Sequence, residues 1–336
     1  MNKTRIAVIG VGHLGQHHAR ILAAMHDVDL VAVVDRKLGR AAEIAVKYAT
    51  APLIDASALI GRVDAVTIAT PTVSHVEIAL PFVEAGVAVL VEKPLAASLA
   101  EADRLVAAAE TRGALLATGH TERFNPAVAA ALPLVSSPRF IEIHRLGTFP
   151  DRSLDIDVIF DLMIHDLDVL LAVVGSDVTS VEAVGVNVLT PRVDIANARL
   201  RFASGCIANV TASRISRDRV RKARFFQHDS YVSIDYAQQE VEVYRLVPHP
   251  STGARGGLAP HRAGGRGGDP ALSNVEGQTG GLPVIQGGRV DVVSDEPLRR
   301  ELADFVDAVR TRRQPAVTGR DGRAALALAT RVADSM

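Results

Sequence analysis

Three glycines spaced Gly10-x-Gly12-x-x-Gly15 separate a short β-branched run, Arg5–Ile9, from a helical pattern running His13 to Met25. Few chain geometries need this spacing. Gly10 permits a tight turn out of a strand, and Gly12 lets a ligand approach bare backbone. Gly15 lets a helix pack closely on the strand. The helix then points free N–H groups and a partial positive charge at whatever occupies the turn, which suits a phosphate. A second apolar run, Leu30–Asp35, ends in an acid about twenty residues after Gly15. A carboxylate there can take the hydroxyls of an adenosine ribose. Strand, glycine turn, helix, strand and acid together predict a dinucleotide-binding unit, with His13 and Leu14 lining the turn.

The alternation continues. Val63–Ala69, Val87–Glu92 and Ala114–Thr118 read as strands. Lys37–Tyr48, Val73–Ala85 and Ser98–Arg112 read as helices between them. The strands are nearly unbroken apolar runs, as parallel strands covered on both faces must be. The fold class expected is therefore α/β, a doubly wound parallel sheet of Rossmann type over residues 1–120. A chain of 336 residues exceeds what one core supports, so residues 121–336 form a second domain. Its pattern differs. After a helix at Ile159–Val174, Ala196–Phe202 alternates apolar residues with Arg199 and Arg201, and Val241–Leu246 has strand composition. This predicts an α+β domain with an open, mainly antiparallel sheet, closed by helices at Pro297–Thr311 and Gly322–Ala333. Residues 248–290 include Gly264-Gly265-Arg266-Gly267-Gly268 and read as a long mobile loop.

The net charge of −1 supplies no global field for nucleic acid or anionic lipid. No stretch reaches the ~18 apolar residues that span a bilayer. The run after Lys3-Thr4-Arg5 is too short for a secretory signal. A single cysteine, Cys206, allows no intrachain disulfide and suits a reducing cytoplasm.

Candidate functional residues cluster at strand ends. Asp35 disfavours a cofactor carrying a 2′-phosphate, so NAD is expected over NADP, although the adjacent Arg36 is able to pair with such a phosphate. Thr70-Pro71 and His75 follow a strand where ligands of open α/β sheets bind. Glu92-Lys93-Pro94 ends another strand at that edge, aiming Lys93 into the cleft, and the Lys93–Pro94 bond is a candidate for cis geometry. Beside a nicotinamide cation the lysine pKa should fall, which suits proton transfer or orientation of a hydroxyl. Asp161 and His165 are i,i+4 on a helix, with Asp168 one turn further, so Asp161 is placed to orient the imidazole. Only one histidine is in reach there, too few ligands for a metal. Glu122, Arg123 and Asn125, with His120, lie where the chain crosses between domains and face the cleft. Arg217, Arg219 and Arg221 alternate and form a cationic strip, read as a solvated face or subunit contact more readily than as a diphosphate site.

The set Gly-x-Gly-x-x-Gly, Thr70-Pro71, Glu92-Lys93-Pro94 and Asp161-x-x-x-His165-x-x-Asp168 resembles the Gfo/Idh/MocA oxidoreductases of sugars and cyclitols. The resemblance implies that Lys93, Asp161 and His165 are catalytic. It also implies that the second-domain sheet pairs subunits into a homodimer or homotetramer. Gly119-His120-Thr121-Glu122-Arg123-Phe124-Asn125-Pro126 is similar to a branch that oxidises C3 of UDP-N-acetylglucosamine, whose keto product a PLP aminotransferase converts for lipid A. That branch implies a nucleotide-sugar substrate held by Lys93, Glu122, Arg123, Asn125, Asp161 and His165. Cofactor contacts fall to Gly10, Gly12, His13, Leu14, Gly15, Asp35, Arg36, Thr70, Pro71, His75, Glu92, Lys93 and Arg123. The alternatives are another family dehydrogenase or reductase (cyclitol, free sugar, bile pigment) and a non-catalytic dinucleotide sensor.

Overall fold

The computed structural model describes residues 3–149, 156–247, 273–274 and 284–336. Its first sheet has the strands β1 (Thr4–Ile9), β2 (Val28–Val34), β3 (Ala51–Leu53), β4 (Ala65–Ile68), β5 (Ala88–Glu92) and β6 (Leu116–Gly119). All are parallel, in the order β3-β2-β1-β4-β5-β6. Both faces are covered, as the unbroken apolar strands require. One face packs on α3 (His75–Glu84) and α4 (Leu99–Arg112), burying Phe82, Val83 and Leu105. The other packs on α1 (Gly15–Ala24), α2 (Leu38–Tyr48) and part of the C-terminal chain, burying Leu22, Ile44 and Phe305. The chain order reverses between β1 and β4, which opens a crevice at their C-terminal ends.

After a short α5 (Pro126–Ala131) come β7 (Phe140–Leu146), a π-helical turn (Ile159–Met163) and α6 (Ile164–Val174). Seven further strands follow: β8 (Val178–Val186), β9 (Ile195–Phe202), β10 (Ile207–Ser213), β11 (Val220–Phe226), β12 (Ser230–Asp235), β13 (Glu240–Val247) and the two-residue β14 (Ser273–Asn274). With β7 and β15 (Val284–Val290) they form a nine-stranded sheet, antiparallel except where β7 meets β10. In β9 the expected alternation is realised: Ala196, Ala198, Leu200 and Phe202 are buried, while Arg199 and Arg201 face out. The buried face packs on α6 and α8 (Gly319–Asp334). Before α8, α7 (Pro297–Thr311) returns to the first sheet, placing Leu302, Phe305 and Val306 against it.

One expectation is corrected. The glycine-rich stretch is not loop throughout, because Val284–Val290 pairs with β13 as strand β15. Its glycines serve the pairing. A Cβ on Gly287 would lie 2.3 Å from the Val243 carbonyl oxygen and 2.5 Å from the Tyr244 ring. Residues 248–272 and 275–283, the rest of the expected loop, lie outside the described residues. Among the described residues no helix is long and apolar enough to cross a membrane.

Candidate active site

The glycine turn sits at the crevice. Gly10 adopts φ +83°, a conformation L side chains rarely take, and a Cβ there would strike Thr70 Cγ2 at 2.7 Å. A Cβ on Gly15 would lie 1.7 Å from the Gly10 carbonyl oxygen, so any side chain drives the helix off the strand. Gly12 is different: a Cβ there meets nothing within 4 Å. The turn is thus closed where strand and helix meet and open toward the crevice, the shape a pyrophosphate needs. His13 and Leu14 are exposed beside it, with Leu14 immediately ahead of α1.

Asp35 follows β2 and accepts the Val11 and Lys37 backbone N–H groups at 3.2 and 2.9 Å. Arg40 donates to the Val11 carbonyl at 2.8 Å, so the turn and the acid form one unit. Arg36 is exposed alongside. The arrangement fits a dinucleotide: an open backbone turn for the phosphates and a held carboxylate for the ribose. These are the residues that would hold NAD.

Across the crevice, Thr70 and Pro71 follow β4. His75 was expected to touch the cofactor, but its ring is buried and spent on backbone. Nδ1 lies 2.9 Å from the Pro94 carbonyl oxygen and Nε2 lies 2.9 Å from that of Thr70. Only the doubly protonated ring donates to both, while burial pushes its pKa down. His75 therefore ties the Thr70-Pro71 turn to the Lys93-Pro94 turn. Glu92, also expected at the cofactor, is buried against His18 Nε2 at 2.9 Å and accepts the Lys93 backbone N–H at 3.3 Å. It is a brace, and its partner His18 was not anticipated.

Lys93 precedes a cis proline bond and reaches across to the second domain. Its Nζ donates to the Asp161 carbonyl at 2.6 Å and lies 3.5 Å from Asp161 Oδ1. Burial holds the ammonium below its ordinary pKa, with Asp161 and Glu92 opposing the fall. Asp161 was expected to orient His165, and here the sequence reading is corrected. The first turn of that helix is π rather than α, and its wider winding breaks the i,i+4 alignment. Asp161 pairs with Lys93, and His165 Nδ1 is buried without a hydrogen-bond partner among the described residues. Burial, then the Lys93 and Arg145 charges, lowers the His165 pKa well below the ordinary histidine value, so the ring is neutral near pH 7.

His120 lies edge-on to His165, ring centroids 6.4 Å apart. Burial, with Lys93 and Arg123, drives its pKa down to about 3. Neither of its ring nitrogens has a partner among the described residues. Arg123 approaches Asp168 Oδ1 at 3.4 Å, and burial raises the Asp168 pKa to about 7. Asn125 does not face the cleft as expected. Its Oδ1 caps α5 through the Ala127 N–H, and its amide donates to Glu122 and the Tyr236 carbonyl. Glu122 is likewise engaged, accepting from Arg145 at 2.8 Å.

Arg145 is the main site residue that escaped the sequence reading. It grips Asp166 through two hydrogen bonds of 2.7 and 2.8 Å, beneath the cleft and over the Tyr236 ring. Although burial opposes it, Asp166 and Glu122 hold the guanidinium charged. The available signal was phase: Arg145 falls in register with the buried Ile141 and Ile143 of β7. Arg214 forms a second buried pair with Asp194 at 3.0 Å and also donates to the Ile156 carbonyl, just ahead of the π turn.

This crevice joins a dinucleotide turn to a lysine, a neutral histidine and a carboxylate, the equipment of a nicotinamide-dependent oxidoreductase. Comparison with known proteins agrees. Residues 4–120 match the model of the oxidoreductase family with an NAD-binding Rossmann fold, and residues 138–235 match the Gfo/Idh/MocA C-terminal domain. The chain belongs to the Gfo/Idh/MocA family and is an NAD-dependent oxidoreductase acting on a CH–OH group. It is 37% identical over 329 residues to the UDP-N-acetylglucosamine 3-dehydrogenase of Acidithiobacillus ferrooxidans, covering 98% of this chain and 96% of that one. A crystal form of that enzyme superposes with TM-score 0.86 at 36% identity, covering 100% of this chain and 98% of the other. The scyllo-inositol 2-dehydrogenase (NAD(+)) of Bacillus subtilis is 30% identical over 239 residues, 64% of this chain and 68% of that enzyme.

Proposed function

We propose that this protein oxidises the C3 hydroxyl of UDP-N-acetylglucosamine to a ketone, with NAD as hydride acceptor. The observation that carries the reading is the likeness to a UDP-N-acetylglucosamine 3-dehydrogenase over almost the whole of both chains, including the second domain that would hold the substrate. His165, neutral and buried, takes the hydroxyl proton. Lys93, held across the cleft by Asp161, donates a hydrogen bond to the same oxygen and stabilises its developing negative charge. Bound NAD supplies the hydride acceptor. Arg123 lines the approach, while Glu122, Arg145, His75 and Glu92 hold the elements that carry the reacting groups.

The open face of the large sheet supports self-association. Phe140, Phe226, Tyr231 and Tyr244 form a ladder across it, ring centroids 5.6, 5.0 and 6.0 Å apart. We assign that face to a homodimer or homotetramer contact. The 3-keto product is chemically suited to a PLP aminotransferase that would install an amine at C3, as in lipid A assembly. NAD and nucleotide sugars are both cytoplasmic metabolites, and we place the protein there.

The test is to incubate protein, NAD and UDP-N-acetylglucosamine with hydroxylamine as carbonyl trap and to follow reduced nicotinamide. The trap is needed because oxidising a secondary alcohol is uphill at neutral pH. Turnover with UDP-N-acetylglucosamine, giving an oxime on the sugar ring, supports the reading. Turnover with myo-inositol or free sugars, and none with the nucleotide sugar, overturns it.

A further inference from the structure

The cations of β11 fare differently on its two faces. On the open face Lys222 pairs with Asp235 at 3.4 Å and Arg224 with Glu142 at 3.0 Å. Arg221 lies on the other face, directly opposite Arg145 and in phase with Ala223 and Phe225, which are buried. It makes no ion pair among the described residues. The carboxylates near it, Glu122 and Asp166, are both held by Arg145. Arg219, just ahead of the strand, also lacks an ion pair among the described residues and reaches only Thr148 Oγ1, at 3.4 Å.

Three guanidinium groups thus follow one another along the end of β7 and β11, and among the described residues only the first is paired with carboxylates. Partial burial, and then Arg145, pulls the Arg221 pKa below its ordinary value, with Glu122 and Asp166 opposing the fall. Arg221 lies opposite Arg145, which binds Asp166 beside His165, so this arginine lies on the reacting side of the sheet. The expected alternation holds only in part, since Arg217 lies in a bend before the strand. Next to Thr148 in the chain, Phe149 is 44% exposed.

We propose that Arg219 and Arg221 form the diphosphate subsite of the substrate cleft, binding the two-phosphate link of a nucleotide sugar whose ring lies between Lys93 and His165. The proposal rests on the nucleotide-sugar reading above. Paired guanidinium groups suit phosphate oxygens because each offers a planar fork of donors.

UDP alone is the probe, titrated by calorimetry into the NAD-loaded full-length protein. Arg219→Gln and Arg221→Gln should each weaken UDP about tenfold, and the double variant more. NAD affinity, which reports that the fold is intact, should stay within about twofold. Lys222→Gln and Arg224→Gln on the open face should leave UDP binding within about twofold. In turnover the double variant should raise KM for UDP-N-acetylglucosamine with kcat changed less than about threefold. The proposal is overturned if wild-type protein does not bind UDP, if the double variant binds it as tightly as wild type, or if the open-face variants weaken it equally. UDP binding lost with the arginines, in a protein that never oxidises the sugar, would sink the dehydrogenase reading and leave the subsite standing. Turnover at unchanged KM in the double variant would do the reverse.

Discussion

Burial acts in the same direction on Lys93 and His165. It lowers the Lys93 ammonium and the His165 imidazolium, because each charged form loses water that the crevice does not replace. The mechanism proposed above needs His165 neutral and Lys93 protonated. The dependence of kcat/KM on pH should therefore be bell-shaped. Its acid limb falls below the ordinary histidine value of ~6.5, and its alkaline limb below the ordinary lysine value of ~10.4. Lys93→Ala should remove the alkaline limb and cost ~100-fold or more in kcat, and His165→Ala the acid limb. A pH–rate profile of each variant checks this; unchanged limbs would assign them to other groups. Glu301 makes a complementary prediction. It is buried on α7, accepts from Thr121, and burial with nearby Glu92 raises its pKa well above the ordinary value. Asp168 is raised to about 7. Such groups bind a proton when folded and release it when unfolded, so their contribution is complete below ~pH 4 and is lost as pH rises through the folded pKa. Glu301→Gln should flatten that loss and keep or raise Tm at pH 8. A Tm lowered by several degrees there would mean Glu301 is charged and paired.

Among the elements, the first sheet was legible because parallel strands buried on both faces leave continuous apolar runs, and each run here became a strand. The glycine turn was legible because each glycine answers a separate steric demand. Gly15→Ala should abolish NAD binding, since its Cβ would sit inside the Gly10 carbonyl; retained affinity in a titration would contradict the close packing. Other features were hidden for physical reasons. The π turn is flanked by contacts far apart in sequence, Arg214 to Ile156 and Lys93 to Asp161, which periodicity cannot see, so periodicity alone aligned Asp161 with His165. β15 was hidden because Gly287 and Gly288 look like loop until the closeness of β13 is known. Asn125 read as a cleft residue because a helix cap and a ligand contact use the same polar atoms. Asn125→Ala should cost ~1 kcal/mol or more in chemical denaturation. Arg145 and Asp166 were missed because a charge in core phase looks like an error until its partner is seen.

For the molecule as a whole, the two sheets divide the work. The first holds the cofactor turn and Lys93, and the second positions His165 and leaves one face open. Phe226→Asp with Tyr231→Asp on that face should yield monomers in sedimentation without changing NAD affinity; an unaltered oligomer would place the contact elsewhere. The central claim is that hydride leaves C3 of the sugar inside the cleft bounded by Lys93 and His165. The most direct measurement uses UDP-N-acetylglucosamine deuterated only at C3, with NAD and the carbonyl trap, and mass analysis of the reduced nicotinamide. The account predicts that each reduced cofactor carries one deuterium and that His165→Ala slows its appearance. Reduced cofactor carrying only protium would contradict it.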